Sequence, residues 1–144
     1  MLADTPIAFT DTLERARTRS DVEWQHYAAR GNTASSVRLA AITPDGRWVG
    51  TMGAYEPLSG DPILVGVYVS PDFRGSRSGV TDALLGAVER WVRERASTLT
   101  LLVHEHNVRA QTAYRKRGFE LTGRSEPYPL NPAERDLEMS KPLV

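Results

Sequence analysis

The chain predicts a mixed α/β domain in which a central parallel strand pair is joined by one amphipathic helix and flanked by antiparallel hairpins and further helices. Three observations carry that prediction. Ile63-Leu64-Val65-Gly66-Val67-Tyr68-Val69 is a nearly unbroken apolar run of strand length, the pattern of a strand covered on both faces. Val80, Ala83, Leu84, Ala87, Val88, Trp91 and Val92 then recur at helical spacing, with Asp82, Glu89, Arg90, Arg93 and Glu94 on the other side, so this helix packs on a sheet. A second apolar run, Leu99 to Val103, completes a strand-helix-strand unit over 63–103, whose strands are expected to be parallel with a right-handed crossover.

The remaining elements follow in order. Pro6 to Gly31 reads as helix in two pieces, with a capping box at Ser20 and Glu23 and a stop at Gly31 after Tyr27, Ala28, Ala29 and Arg30. Ser36 to Ile42 and Arg47 to Tyr55 read as a hairpin turned at Pro44-Asp45-Gly46, and Glu56 to Pro62 as a loop. Asn107 is placed to cap a helix from Val108 to Arg117 that Gly118 ends, with Arg115, Lys116 and Arg117 where the helix dipole favours cations. Phe119 and Leu121 open a strand, Pro127 to Pro132 makes a broad turn, and Asp136 to Lys141 is a last short strand.

Length and composition bound the function. At 144 residues, 40% hydrophobic and 25% charged, the chain is expected to form a single domain spanning 1–144 with one sizeable core. No apolar run reaches the roughly 20 residues that span a bilayer, and the start lacks a signal-peptide pattern, so the cytoplasm is the expected location and no membrane partner is expected. Without cysteine there is no disulfide, thiolate metal site or cysteine nucleophile. Eighteen basic residues balance eighteen acidic ones, which argues against nucleic acid as a partner. The local clusters Arg74 and Arg77, and Arg115 to Arg117, suit a small polyanion instead.

Two constellations carry chemistry. The loop from Pro71 through Arg74, Gly75, Ser76, Arg77, Ser78 and Gly79 to Val80 and Thr81 joins a buried strand to a helix start. Unpaired first-turn amides and the positive end of the helix dipole suit phosphate there, while glycines let backbone approach and arginines add charge-assisted contacts. The second runs from Leu101 through His104, Glu105, His106 and Asn107 to Ala110, Tyr114, Gly118 and Phe119.

Together they resemble the GNAT superfamily of N-acetyltransferases. Pro71, Arg74, Gly75, Gly79, Leu84 and Leu85 match its first signature, and Asn107, Ala110, Tyr114, Gly118 and Phe119 match its second without a gap. The first departs from the pattern: Arg77 and Ser78 read as a two-residue insertion with Thr81 at a usually smaller position, or, aligned without a gap, Arg77 stands at a glycine position. The resemblance implies a GNAT-type fold whose central parallel strands splay apart, and acetyl-CoA as co-substrate with its pantetheine arm held by backbone near Val67 and Val69. It implies transfer of acetyl to a primary amine of a small molecule or peptide by direct attack, and Tyr114 as the acid that reprotonates the thiol. No covalent enzyme intermediate and no metal is expected, since the two histidines of His104-Glu105-His106 have no third defined ligand.

An ammonium must lose a proton before it attacks, and its pKa of about 10.4 calls for a base or a water chain. Some relatives carry a Glu twelve residues before the Tyr, where this chain has Leu102. His104, two residues on and on the same strand face, is the first candidate; Glu56, Asp61, Glu105 and water remain open. The missing base and altered loop also fit a rival, a catalytically silent acyl-CoA-binding domain. The acceptor is expected between the early helices and the Glu126 to Leu130 turn. Family members usually begin with a strand that Met1 to Phe9 leaves little room for, so Ser36 to Ile42 is expected as an open sheet edge and a homodimer is favoured.

Overall fold

A computed structural model describes residues 1, 4–8, 12–29 and 31–144, with the backbone alone at residue 27. Phe9 and Arg30, part of the expected opening segment and early helix, lie outside the described residues. The helix in two pieces is α1 (Leu13–Thr18) and α2 (Asp21–Ala29). The capping box forms: the Ser20 amide donates to Glu23 Oε2 at 2.8 Å, and the Glu23 amide donates to Ser20 Oγ at 3.4 Å.

Strands β1 (Ser36–Ile42) and β2 (Trp48–Tyr55) make the first hairpin, and β3 (Ile63–Val69) returns beside β2. Then follow α3 (Val80–Arg93), β4 (Thr98–His104), α4 (Val108–Arg115), β5 (Glu120–Tyr128) and β6 (Asn131–Pro142). The last hairpin is longer and its turn tighter than expected. The prolines that suggested a broad turn are absorbed at an edge strand, Pro127 on β5, and at a register shift beyond it, positions where a missing amide is tolerated.

All six strands form one sheet in the order β1-β2-β3-β4-β6-β5, with β3 and β4 parallel and every other neighbour antiparallel. Alternation sends Val37, Leu39, Met52, Ala54, Leu99, Leu101, Val103 and Met139 into one core with Leu84, Leu85, Val88 and Val92 of α3. Arg38, Leu102, His104 and Asp136 alternate with those residues and therefore belong to the opposite face. β1 is the sheet edge, as expected, with Asn32 Oδ1 accepting from its Arg38 amide at 2.9 Å.

Between β3 and β4 only Ile63 with Thr100 and Leu64 with Leu101 pair. Past Leu64 the chain enters Gly66 with φ of 62°, a left-handed conformation that bends a strand and that side chains resist. β4 instead keeps its full antiparallel pairing with β6, from Thr98 with Pro142 to His104 with Asp136. The two parallel strands therefore part.

Met139 is fully buried opposite Leu101, so Met139→Ala leaves a cavity under the centre of the sheet. We expect a loss of about 2–5 kcal/mol, seen as a lower urea midpoint with an unchanged slope.

Candidate active site

The parting opens a cleft of ≈ 1210 Å³ that reaches both faces of the sheet. Beyond Leu64, β3 has no strand partner on its β4 side, and buried backbone groups require partners. Elsewhere along this stretch side chains take over: Thr51 Oγ1 of β2 donates to the Gly66 carbonyl at 2.8 Å, and Arg74 Nε donates to the Val69 carbonyl at 2.7 Å. Val67 and Val69 line the cleft, where an extended ligand chain meets this open strand edge.

One end of the cleft is built for anions. Gly79, with φ of 68°, starts α3 without a side-chain cap, so the first-turn amides have no helical partners. Arg74, Gly75, Ser76 and Thr81 line this end, with Lys116 and Arg117 of the α4 terminus. Asp82 sits in the same first turn, where its charge opposes a phosphate; Arg117 Nε holds it at 2.7 Å. Arg74 also pairs with Asp4, whose carboxyl is held below the usual range by the Arg74 and Thr5 hydrogen bonds. Thr5, Ile7 and Ala8 line the cleft beside it.

The rest of the expected loop turns away. Ser78 Oγ folds back onto the Phe73 and Gly75 carbonyls, so its hydroxyl is spent inside the loop. Ser78, Gly79 and Val80 line a smaller hollow of ≈ 400 Å³ against β1, and Arg77 lines neither space. Arg77 and Ser78 thus belong to the loop without lining the cleft.

Asn107 is buried, lines the cleft and caps α4 by accepting from the Ala110 amide at 3.2 Å. That helix carries Tyr114 to the gap. The ring packs edge-on against Phe119 at 5.7 Å, while the hydroxyl has no hydrogen-bond partner among the described residues. Desolvation pushes this phenol up to about 12, opposed by the Arg117 charge.

His104, the first base candidate, has both ring nitrogens engaged. It lines the cleft but is 2% exposed, its Nε2 lies 2.8 Å from Glu134 Oε2, and its Nδ1 accepts from the His106 amide at 3.2 Å. An amide is always a donor, so Nδ1 is the acceptor and Nε2 carries the proton toward Glu134. No lone pair is left for an amine. The other expected bases lie off the cleft: Glu105 accepts from the Arg135 amide at 2.7 Å, Glu56 faces Arg95 at 3.9 Å, and Asp61 is not among the lining residues.

Sequence reasoning missed Asp136. It stands directly opposite His104 on β4 and Glu126 on β5, so His104, Asp136 and Glu126 form one cross-strand row on the face away from α3. Asp136 is 7% exposed, lines the cleft and has no hydrogen-bond partner among the described residues. Desolvation raises its pKa, His104 opposes that shift and Glu126 adds to it. Only the hairpin register, which Pro127 and Pro132 obscured, would have revealed the row.

A sheet parted between its parallel strands, with a glycine-bearing loop and helix start at one end of the gap, is the acyltransferase architecture expected above. The model of the acetyltransferase (GNAT) family matches residues 5–119, and the chain belongs to that family. The family uses acetyl-CoA as co-substrate. Among solved structures the chain is similar to nourseothricin acetyltransferase, at 31% identity over 77% of this chain and 67% of that one, with a TM-score of 0.68. The fold is shared with ribosomal-protein-alanine N-acetyltransferase from Brucella melitensis, at 22% identity over 98% and 87% of the two chains and a TM-score of 0.73. It is shared too with an aminoglycoside 6'-N-acetyltransferase complexed with coenzyme A, at 18% identity over 92% and 86%, TM-score 0.69. No curated protein sequence matches significantly.

The raised pKa of Asp136 has a consequence for folding. The folded state holds this proton more tightly than the unfolded chain, so stability falls as pH rises from the ordinary carboxylate value through the raised one. Asp136→Asn is therefore expected to raise the thermal midpoint at neutral pH, with the gain fading once the pH drops below about 4, the ordinary Asp value. Calorimetric scans of both proteins across pH check this.

Proposed function

We propose that the chain acts as one domain that transfers the acetyl group of acetyl-CoA to a primary amine, by direct attack within a ternary complex. The observation that carries this reading is Tyr114, which lines the gap between β3 and β4 with a hydroxyl that has no hydrogen-bond partner among the described residues. The co-substrate supplies an activated thioester carbonyl and a thiol leaving group. The amides of the α3 first turn, with Arg74 and Arg117, suit its phosphates, and the open edge of β3 at Val67 and Val69 suits its arm. Phosphate at Arg74 takes the place of Asp4.

Tyr114 supplies the acid. A phenol near 12 stays protonated at any working pH, so the donor is always loaded. Complete transfer to a thiolate, whose conjugate acid has a pKa of about 8.5, is uphill for such a phenol. Tyr114 therefore hands over its proton as it takes the one released by the newly acylated nitrogen. His104 positions Glu134 and stacks edge-on with Tyr128 at 4.5 Å, and the acceptor's first proton leaves to cleft water.

Incubation with acetyl-CoA and a panel of amines, followed by free-thiol detection, tests the activity; acetyl-CoA binding with no thiol release by any amine would favour a silent acyl-CoA-binding domain. In Tyr114→Phe the ring still packs on Phe119, so fold and acetyl-CoA affinity should hold while turnover falls by about 10²- to 10⁴-fold. The deficit should narrow with donors of more acidic thiols. Unchanged single-turnover rates would return Tyr114 to a packing role.

Two further parts of the reading concern where and with what the chain works. No described helix is long and apolar enough to cross a membrane, which supports a cytoplasmic enzyme, and the balanced charge supports the absence of a nucleic-acid partner. The open edge of β1 favours a homodimer through strand pairing. Light scattering is expected to give twice the monomer mass with slowed exchange of β1 amides; a monomer with freely exchanging β1 amides removes the pairing.

A further inference from the structure

Arg38 has no part in the site described so far. It lies on the face of β1 away from α3, and its side chain runs across β2 to β3 through a trench left by three glycines. A Cβ at Gly31 would stand 2.8 Å from Arg38 Cγ, one at Gly53 2.5 Å from the Val37 carbonyl and 2.8 Å from Arg38 Cδ, and one at Gly66 3.0 Å from Nη1. Gly31 and Gly53 do not have positive φ, so those glycines answer to space and not to backbone conformation. The guanidinium rests over Gly66, two residues past the last residue of β3 that pairs with β4, and Arg38 lines the cleft. It has no hydrogen-bond or ion-pair partner among the described residues. An unpaired planar fork of donors held at a substrate gap is suited to a carboxylate.

Across the gap, on the same face, stands Asp136. It is 7% exposed and unpartnered among the described residues, it faces the cleft, and Glu126 is beside it. A desolvated carboxylate of this kind is stabilised by a cation that fills the space in front of it. One wall of the acceptor side thus offers a cation and the other an anion.

We propose that the acceptor is a zwitterion, whose carboxylate is received by Arg38 and whose ammonium is received by Asp136 with Glu126. This rests on the acetyltransferase reading and names its substrate class. β3 and β6 are two strand spacings apart, at least about 10 Å. An extended residue spans up to about 3.5 Å, so the charges of a short peptide or an ω-amino acid have the reach to meet both walls where the strands part.

The test compares wild type with Arg38→Met and Arg38→Lys, each checked for fold by circular dichroism. Short peptides and ω-amino acids are offered with acetyl-CoA beside their C-terminally amidated or decarboxylated counterparts, and free thiol is followed. The wild type is expected to favour the carboxylate forms by about ten-fold or more in kcat/KM, mainly through KM, with the ratio near one in Arg38→Met and partly restored in Arg38→Lys. Preference for the counterparts, or a ratio that Arg38→Met leaves unchanged, overturns the zwitterion and leaves the acetyltransferase standing. If no amine releases thiol, the acetyltransferase reading fails and calorimetry with the same compounds, without acetyl-CoA, decides the zwitterion. Binding that requires both the carboxylate and Arg38 supports it; no binding, or binding indifferent to either, ends it.

Discussion

Everything at the site depends on β3 and β4 ceasing to pair after Leu64 and Leu101. A parallel pair buried in the middle of a sheet is costly to leave half-made, because each unpaired amide or carbonyl shut away from water must find another partner. Here the cost is contained from both sides. β4 keeps β6 along its other edge, and β3 keeps β2 as a neighbour across a register shift and lends the Gly66 and Val69 carbonyls to Thr51 and Arg74. What remains without a strand partner is the pair of edges that face each other past Leu64 and Leu101, where a ligand is most useful.

The parts of this arrangement that were legible in the sequence are those written in local pattern. β3 and α3 announce themselves by apolar period, Asn107 and Gly118 bracket α4, and the Ser20–Glu23 box is visible by spacing alone. The parting of the strands was not legible from pattern, since Gly66 inside an apolar run reads only as a weak position in a strand; the family resemblance supplied it. Side-chain roles that depend on register were hidden as well. His104 has the right chemistry for a base but receives the backbone amide two residues on at Nδ1, while Asp136 comes to line the cleft through pairing with two other strands.

Charge is divided along the cleft in a way that a net charge of zero conceals. Arg74, Lys116 and Arg117 gather at the α3 terminus, and the acidic Asp82 among them is neutralised by Arg117. Glu126 and Asp136 face the cleft from the β5–β6 hairpin, with the Glu134–His104 pair beside them. A diphosphate and an ammonium are thus favoured at separate places. Each is also disfavoured at the other's, so the field that attracts two ligands also orients them.

Burial acts on Tyr114 and Asp136 in the same chemical direction, raising both pKa values, yet with opposite functional sense. The phenol is neutral near pH 7 in the folded and the unfolded chain alike, so its raised pKa costs folding nothing there and leaves the hydroxyl protonated. For the carboxylate the charged form is the one that meets a cation, and desolvation sets that form at a disadvantage until a ligand arrives. Desolvation and Glu126 both work against the charged form of Asp136, and His104 works for it. A cation placed between Asp136 and Glu126, which face each other across β5 and β6, favours the charged form of both.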